Sequence, residues 1–260
     1  MTVAGATVVL TGAGGQLGQV LRSRLLARGV LLRSTDIAPL EPLGSGETVV
    51  SGDLRDSGVM DRVLDGADAV LHFGGTSVER PMPEIISNNL EGLHALYEGA
   101  RRHGVRRVVF ASSNHVIGMY PVGRRLALSD AYRPDGLYGL SKLWGEGMGR
   151  LYREKYGIDG VALRIGSALP RPTERRHLST WLGLDDLERL VLCSLTAKLT
   201  DYRPVWGVSA NVRSWWDNAE AAELGYAPEQ NAEDYAPEIE AEPDTTSPEA
   251  RRFQGGIFAV

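Results

Sequence analysis

Residues 7–18, Thr7-Val-Val-Leu-Thr-Gly-Ala-Gly-Gly-Gln-Leu-Gly18, run a short apolar strand through a glycine-rich turn into a helix. Glycines stand at 12, 15 and 18, the G-x-x-G-x-x-G spacing. There the backbone must turn tightly and approach a pyrophosphate, while the free N–H groups and positive dipole end of the next helix face the phosphates. Alone, such a pattern describes many tight turns. At the first strand–helix turn, with an acid closing the next strand, it reads as a dinucleotide fingerprint. That acid is Asp36, 18 residues past Gly18. A carboxylate there accepts from both ribose hydroxyls and repels a 2′-phosphate, so the expected cofactor is NAD rather than NADP.

Outward from this turn, strands and helices alternate. Leu17, Val20, Leu21, Leu25 and Leu26 recur at helical spacing until Gly29. Apolar runs at 30–34, 48–50, 69–73, 107–111 and 160–165 predict strands; 59–64, 83–103 and 138–156 predict helices. Strand–helix repetition with continuous apolar strands gives an α/β fold, a Rossmann-type doubly wound parallel sheet. After Ser167 the rhythm breaks at Pro170 and Pro172. A helix at 185–195, a strand near 205, a capped helix at 217–224 and an acidic tail at 228–248 with one helical turn are expected. The predicted division is a dinucleotide-binding core at 1–168 and a small C-terminal substrate cap at 169–260, integrated with the core.

The chain has 260 residues and a formal charge of −5, without a clustered basic face, which argues against a nucleic-acid partner. No stretch reaches the roughly 18 apolar residues of a membrane span. The single cysteine, Cys193, lies in the apolar run Leu190-Val-Leu-Cys-Ser-Leu195 and is expected to be a buried packing residue. One cysteine and no leader-like segment suit a reducing cytoplasm. The five histidines form no close pair at ligand spacing, so no metal site is expected.

Tyr138-Gly-Leu-Ser-Lys142 places a phenol and an ammonium four apart, on one helix face. The chain has only three lysines, Lys142, Lys155 and Lys198. A free phenol titrates near 10, so a tyrosine base at neutral pH needs roughly 3 units, about 4 kcal/mol, of phenolate stabilisation. An ammonium about 5 Å away supplies on the order of 3 kcal/mol at an effective dielectric of 20. The pair is therefore expected to act as a base beside the nucleotide.

The order of these features resembles the extended short-chain dehydrogenases. That resemblance implies Asp53-Leu54 over the adenine, Phe73-Gly74-Gly75 along the dinucleotide, and Ser113 on the reacting oxygen beside Tyr138. It also adds Gln16, Leu17, Ile37, Asn89 and Ile165 to the cofactor contacts, with Tyr138 and Lys142. Several stretches narrow the likeness: Gly74-Gly-Thr-Ser-Val-Glu-Arg-Pro81, Ser112-Ser-Asn-His-Val-Ile-Gly-Met-Tyr-Pro121, Arg133-Pro-Asp-Gly-Leu-Tyr-Gly139, His177-Leu-Ser-Thr-Trp181, Val205-Trp-Gly-Val-Ser-Ala-Asn211 and Arg252-Phe-Gln-Gly-Gly256. With them the chain is similar to the bacterial uronate dehydrogenases over nearly its whole length, departing at 228–248 and in Thr173-Glu-Arg-Arg176.

This resemblance implies oxidation of cyclic glucuronate or galacturonate at C1 to an aldarolactone. Tyr138 would take the hydroxyl proton; Ser77, Asn114, His115 and Ser167 would contact the sugar, and Arg176 its carboxylate. Arg175 competes with Arg176 for that last role. A homo-oligomer is expected, with 253–258 packing on the body or on a neighbour. A nucleotide-sugar epimerase or dehydratase shares the same machinery, and a non-catalytic NAD-binding regulator shares the fold.

Overall fold

The computed structural model describes residues 3–260. Seven strands form one parallel sheet: β1 (Thr7–Thr11), β2 (Leu31–Asp36), β3 (Glu47–Ser51), β4 (Ala69–His72), β5 (Arg107–Ser113), β6 (Asp159–Ile165) and a last strand, Arg203–Gly207, which is β9 in chain order. Their spatial order is β3-β2-β1-β4-β5-β6-β9, and every neighbouring pair is parallel. The order reverses between β1 and β4, opening a crevice above their carboxyl ends where nucleotides bind in such folds. This is the doubly wound α/β sheet expected from the strand–helix rhythm.

The strands are apolar on both sides because helices cover both faces. Val8 and Leu10 of β1 point into one core with Leu21 and Leu25 of α1 (Gln16–Ala27), while Val9 points into the other. That second core holds α2 (Ser57–Leu64) and a long helix starting as α3 (Met82–Ile85), widening to a π turn at Ile86–Glu91 and continuing as α4 (Gly92–Arg102). The single helix expected at 83–103 is thus interrupted by a wide turn. α5 (Leu137–Tyr156) closes the same face through Met148 and Tyr152.

Beyond 168 the chain divides its work. A short helix, α6 (His177–Thr180), leads into a two-stranded parallel ribbon of β7 (Ser167–Ala168) and β8 (Trp181–Leu182). α7 (Leu184–Thr196) and β9 return to the main sheet, where Leu187, Leu190, Val191 and Leu195 complete the first core. Cys193 is partly exposed rather than buried as expected; its thiol donates to Gly225 O at 3.3 Å, and burial raises its pKa. The helix expected at 217–224 is only Ala219–Ala222, with the Asp217 carboxylate accepting from Ala219 N. The acidic tail contains more helix than expected, a 3-10 turn at Ala232–Tyr235 and a helix at Ala236–Ala241. The last segment packs on the body: Gln254 is fully buried, and Gly256–Ala259 forms a terminal 3-10 turn. Among the described residues no helix is long and apolar enough to cross a membrane.

Candidate active site

The cofactor candidates gather along the carboxyl ends of β1 to β4. Gly12 has φ +67°, a left-handed conformation, and a Cβ there would lie about 2.5 Å from Phe73 O. A Cβ at Gly18 would fall onto Gly12 O, so the α1 start, with Gln16 and Leu17, presses against the turn. The two glycine-bearing loops are braced to each other. Thr11 Oγ1 accepts from Gly74 N at 3.1 Å and shares a 2.7 Å hydrogen bond with His72 Nδ1. Burial, and then the Lys142 charge, push His72 down to about 3, so it is neutral at physiological pH.

Asp36 ends β2 and accepts from Gly14 N (2.9 Å) and Ala38 N (3.0 Å), which brings its carboxylate over the turn. Ile37 beside it is largely exposed. Asp53, after β3, is held by Arg55, whose guanidinium depresses its pKa; Leu54 follows on the same loop. Asn89, expected among the cofactor contacts, is also tied into the protein. Its amide accepts from Thr76 N (2.7 Å) and donates to Thr76 O (3.0 Å) and Ser141 Oγ (2.8 Å). Both amide hydrogens are taken, so the side chain braces the loop of Gly74 and Gly75 against α5.

Tyr138, Lys142 and Ser113 converge at the end of β5, all buried. Lys142 Nζ lies 5.6 Å from the Tyr138 ring centre and 4.9 Å from that of Phe110. Burial pushes Tyr138 up to about 12; a hydrogen bond with Ser113 opposes this and the Asp135 charge adds to it. Burial brings Lys142 down to about 8. This corrects the expectation that the ammonium pulls the phenol toward neutrality: in a dry site, loss of hydration penalises both charged forms.

Helix α5 is fastened at two levels. The Glu79 carboxylate accepts from Leu137 N (3.0 Å) and Tyr138 N (2.9 Å), capping the helix from the loop after β4. Two turns on, Glu146 accepts from Ser112 Oγ (2.7 Å), Tyr132 OH (3.1 Å), and Arg164 Nε and Nη2 (2.9 Å each). This buried network ties α5 to β5 and β6, next to Ser113 and Ile165, which are themselves register partners.

The substrate candidates lie beyond the pair. Ser113 Oγ accepts from His115 N at 3.2 Å and starts the 3-10 turn Asn114–Ile117. Asn114, in the amide orientation that satisfies both neighbours, donates to Ile165 O (3.1 Å) and accepts from Arg176 Nη2 (2.9 Å). Arg176 also donates to Ser167 Oγ (3.1 Å) and Gln254 O (2.8 Å). Its partners are therefore neutral; among the described residues it forms no ion pair, and burial presses its pKa below the ordinary arginine value. Arg175 points elsewhere, to the carbonyls of Glu240 and Glu242 in the tail. Ser77 lies exposed on the loop after β4.

Several neighbours have a role that the sequence does not assign. The Phe258 ring packs 4.0 Å from that of His115 and 6.1 Å from that of Tyr138. Gln254 fixes its segment through Trp216 Nε1 (2.8 Å) and Arg124 O (2.7 Å). Glu79 and Asp135 lie within motifs singled out in the sequence but were assigned no task. Their signal was an acid beside glycines, Asp135-Gly136 and Gly118 or Gly255 across the fold, which only tertiary contact makes legible.

This geometry, a braced glycine turn at a switch point beside a Tyr-x-x-x-Lys helix, defines an NAD-linked short-chain dehydrogenase-type site. The family model that matches residues 8–199 is described as "NAD dependent epimerase/dehydratase family". The chain belongs to that family and, within it, to the uronate dehydrogenases. It is 46% identical to the uronate dehydrogenase of Pseudomonas syringae pv. tomato over 255 residues, covering 97% of this chain and 93% of that one. The crystal structure of uronate dehydrogenase from Agrobacterium tumefaciens superposes with a TM-score of 0.93 at 43% identity, covering 98% and 96% of the two chains. A tyrosine-to-alanine mutant of that enzyme, complexed with NAD, matches equally at TM-score 0.93 and 43% identity, over 98% of this chain and 97% of that one.

Proposed function

We propose that this chain oxidises a free hexuronic acid, glucuronate or galacturonate in its cyclic form, at C1 to the aldarolactone with NAD as acceptor. The observation that carries the substrate class is Arg176. A half-buried guanidinium with only neutral partners, bonded to Asn114 and Ser167, supplies the local cation that draws a sugar carboxylate to a protein of net charge −5.

The glycine turn fits NAD because it has no room for side chains at Gly12 and Gly18 and Asp36 stands over it. Gly12, Gly15, Gln16, Leu17 and Gly18 would hold the pyrophosphate, Asp36 and Ile37 the adenosine ribose, Asp53 and Leu54 the adenine. Phe73 to Gly75, Ile165, Tyr138 and Lys142 would hold the nicotinamide half. Bound NAD supplies the hydride acceptor.

The chain's own residues manage the proton. Ser113 orients the C1 hydroxyl toward Tyr138, and Asn114, His115, Ser77 and Ser167 hold the ring. Arg176 anchors C6, which leaves C1 as the end presented to Tyr138. Lys142 gives up its proton near pH 8, leaving the pair one proton short; the phenolate–ammonium form of that pair takes the proton of the C1 hydroxyl. The residues from 169 to 260 act as a substrate cap on the core of 1–168, sharing α7 and β9 with its sheet. The reading includes a cytoplasmic enzyme that assembles from identical copies.

The test is NADH formation, followed by absorbance, with free uronates, neutral aldoses and UDP-sugars. Turnover of glucuronate or galacturonate, with none of UDP-sugars, is expected. Turnover of UDP-sugars alone would overturn the substrate assignment.

A further inference from the structure

The side chain of Asp135 is fully shielded from solvent, in the loop just before α5. Its Oδ2 accepts from His115 Nδ1 at 2.7 Å, and its Oδ1 has no hydrogen-bond partner. Three glycines from three parts of the chain make room for it. A Cβ at Gly118 or Gly255 would collide with Oδ2, and one at Gly139 would come within 3.1 Å of Oδ1. Gly255 N donates to Gly118 O at 2.9 Å, closing the pocket. The stretches 112–121, 133–139 and 252–256, distinctive in the sequence, therefore meet at this one carboxylate.

A buried carboxylate with a single hydrogen bond is costly, so a fold that shapes three segments around it uses it for more than filling space. What it touches is the ring of His115. That ring stands edge-on to Tyr138, at 5.7 Å between centres, and is backed by Phe258. Its Nε2, on the far side from Asp135, makes no hydrogen bond with the described residues. A carboxylate at Nδ1 fixes which nitrogen carries the proton, because it can only accept.

We propose that Asp135 is a positioning residue that holds the His115 imidazole with Nδ1–H inward, so that Nε2 accepts from a hydroxyl of the sugar. The inference rests on the uronate reading given above for what Nε2 meets. Without Asp135 the ring is free to rotate and to exchange tautomers, and Nε2 no longer stands in one place. A misplacement of this order costs up to about 100-fold in rate.

The experiment compares Asp135→Ala, Asp135→Asn, His115→Ala and the Asp135→Ala/His115→Ala double variant. It measures kcat and KM for glucuronate, NAD affinity, and the nitrogen-15 signals of His115 in wild type and Asp135→Asn at alkaline pH. Asp135→Ala should lower kcat/KM by about 30-fold, within that range, with NAD affinity kept. The double variant should be no worse than His115→Ala alone, since both remove the same contact. Asp135→Asn should recover most of the loss, because an amide oxygen still accepts from Nδ1–H. The wild-type spectrum should show the proton on Nδ1. Additive losses, an Asp135→Asn as poor as Asp135→Ala, or a proton on Nε2 in wild type would each overturn the proposal. If Asp135→Ala does not fold, Asp135→Asn and the spectrum still decide. Wild type inert toward uronates would instead fail the functional reading, and the spectrum would still decide whether Asp135 sets the tautomer.

Discussion

On the cofactor side of the crevice, Gly12, Gly15 and Gly18 lie in one turn and Asp36 closes the next strand. On the proposed substrate side, Asn114, Ser167, Arg176 and the C-terminal pair Gln254 and Phe258 come from four separate segments. The first side is made mostly of backbone, shaped by what glycine permits over a few residues. The second is made of side chains, each aimed by partners far away in the chain. A site of the first kind is specified locally and binds what all relatives of the fold bind; a site of the second kind is where one substrate is told from another.

Tyr138 stands where the two sides meet, so its loss should separate them most sharply. Tyr138→Phe removes the proposed proton acceptor and leaves the glycine turn untouched. We expect kcat to fall by about 10³-fold, within the range for general bases, with NAD affinity within a few-fold of wild type. Single-turnover absorbance and NAD titration read the two separately. Residual kcat within tenfold of wild type would remove Tyr138 from the base role.

The next largest effect belongs to the substrate side alone. Arg176→Ala should raise KM for uronates about 100-fold and change kcat much less, because the proposed carboxylate contact would hold before and during reaction alike. Its loss also frees Ser167, Asn114 and the carbonyl of Gln254, so NAD affinity is the control that the cofactor side still stands. An unchanged KM would break the comparison, since the substrate side would then not be organised around this guanidinium.

These two sides also differ in how much of them the amino-acid sequence discloses. The glycine turn, Asp36, and the pairing of Tyr138 with Lys142 were legible because each depends on spacing within a few residues. The apolar run ends at 111, yet β5 continues to Ser113, where the Ser112 hydroxyl donates to Glu146 in a buried network. Asn89, expected as a cofactor contact, also braces its loop through Thr76 and Ser141, which no local spacing discloses. The stretch with Gln254 and Phe258 stood out, but not what either side chain does, because their partners are rings and carbonyls more than a hundred residues away. The raised pKa of Tyr138 is hidden from the sequence for a related reason. Its expected charge partner is local, but the burial that raises it is not.

That burial has a measurable consequence of intermediate size. Lys142 is drawn down to about 8 and Tyr138 up to about 12, so the first proton lost near neutrality is that of Lys142. Oxidation requires a proton to be accepted, so activity should rise with pH through about 8 and level above it. Below that limb kcat/KM should fall about tenfold per pH unit for a single proton. A flat profile between pH 6 and 9, in roughly that window, would mean that the pair is not what limits acceptance.

The smallest effect tests the joint between the two sides. Glu79 comes from the loop that carries Gly74 and Gly75, yet its carboxylate caps the helix that presents Tyr138. Gly136, the residue at the cap position, has no side chain to serve, and a Cβ there would meet the Glu79 carboxylate. The acid also faces the positive end of a 20-residue helix. Glu79→Ala should therefore cost about 1 kcal/mol of stability, the usual value of a lost cap. In a chain of this size that is a fall of about 2–4 °C in Tm. The informative result is how kcat responds. If the cap sets only helix stability, kcat at 25 °C stays as it was and only Tm moves. If it also sets where the phenol stands, kcat falls several-fold while KM for uronate holds, and Glu79→Gln, which keeps one accepting oxygen, recovers part of it. The second outcome is the expected one, because Tyr138 N is itself one of the two groups that Glu79 binds. The cofactor loop would then hold the base in place for the substrate side.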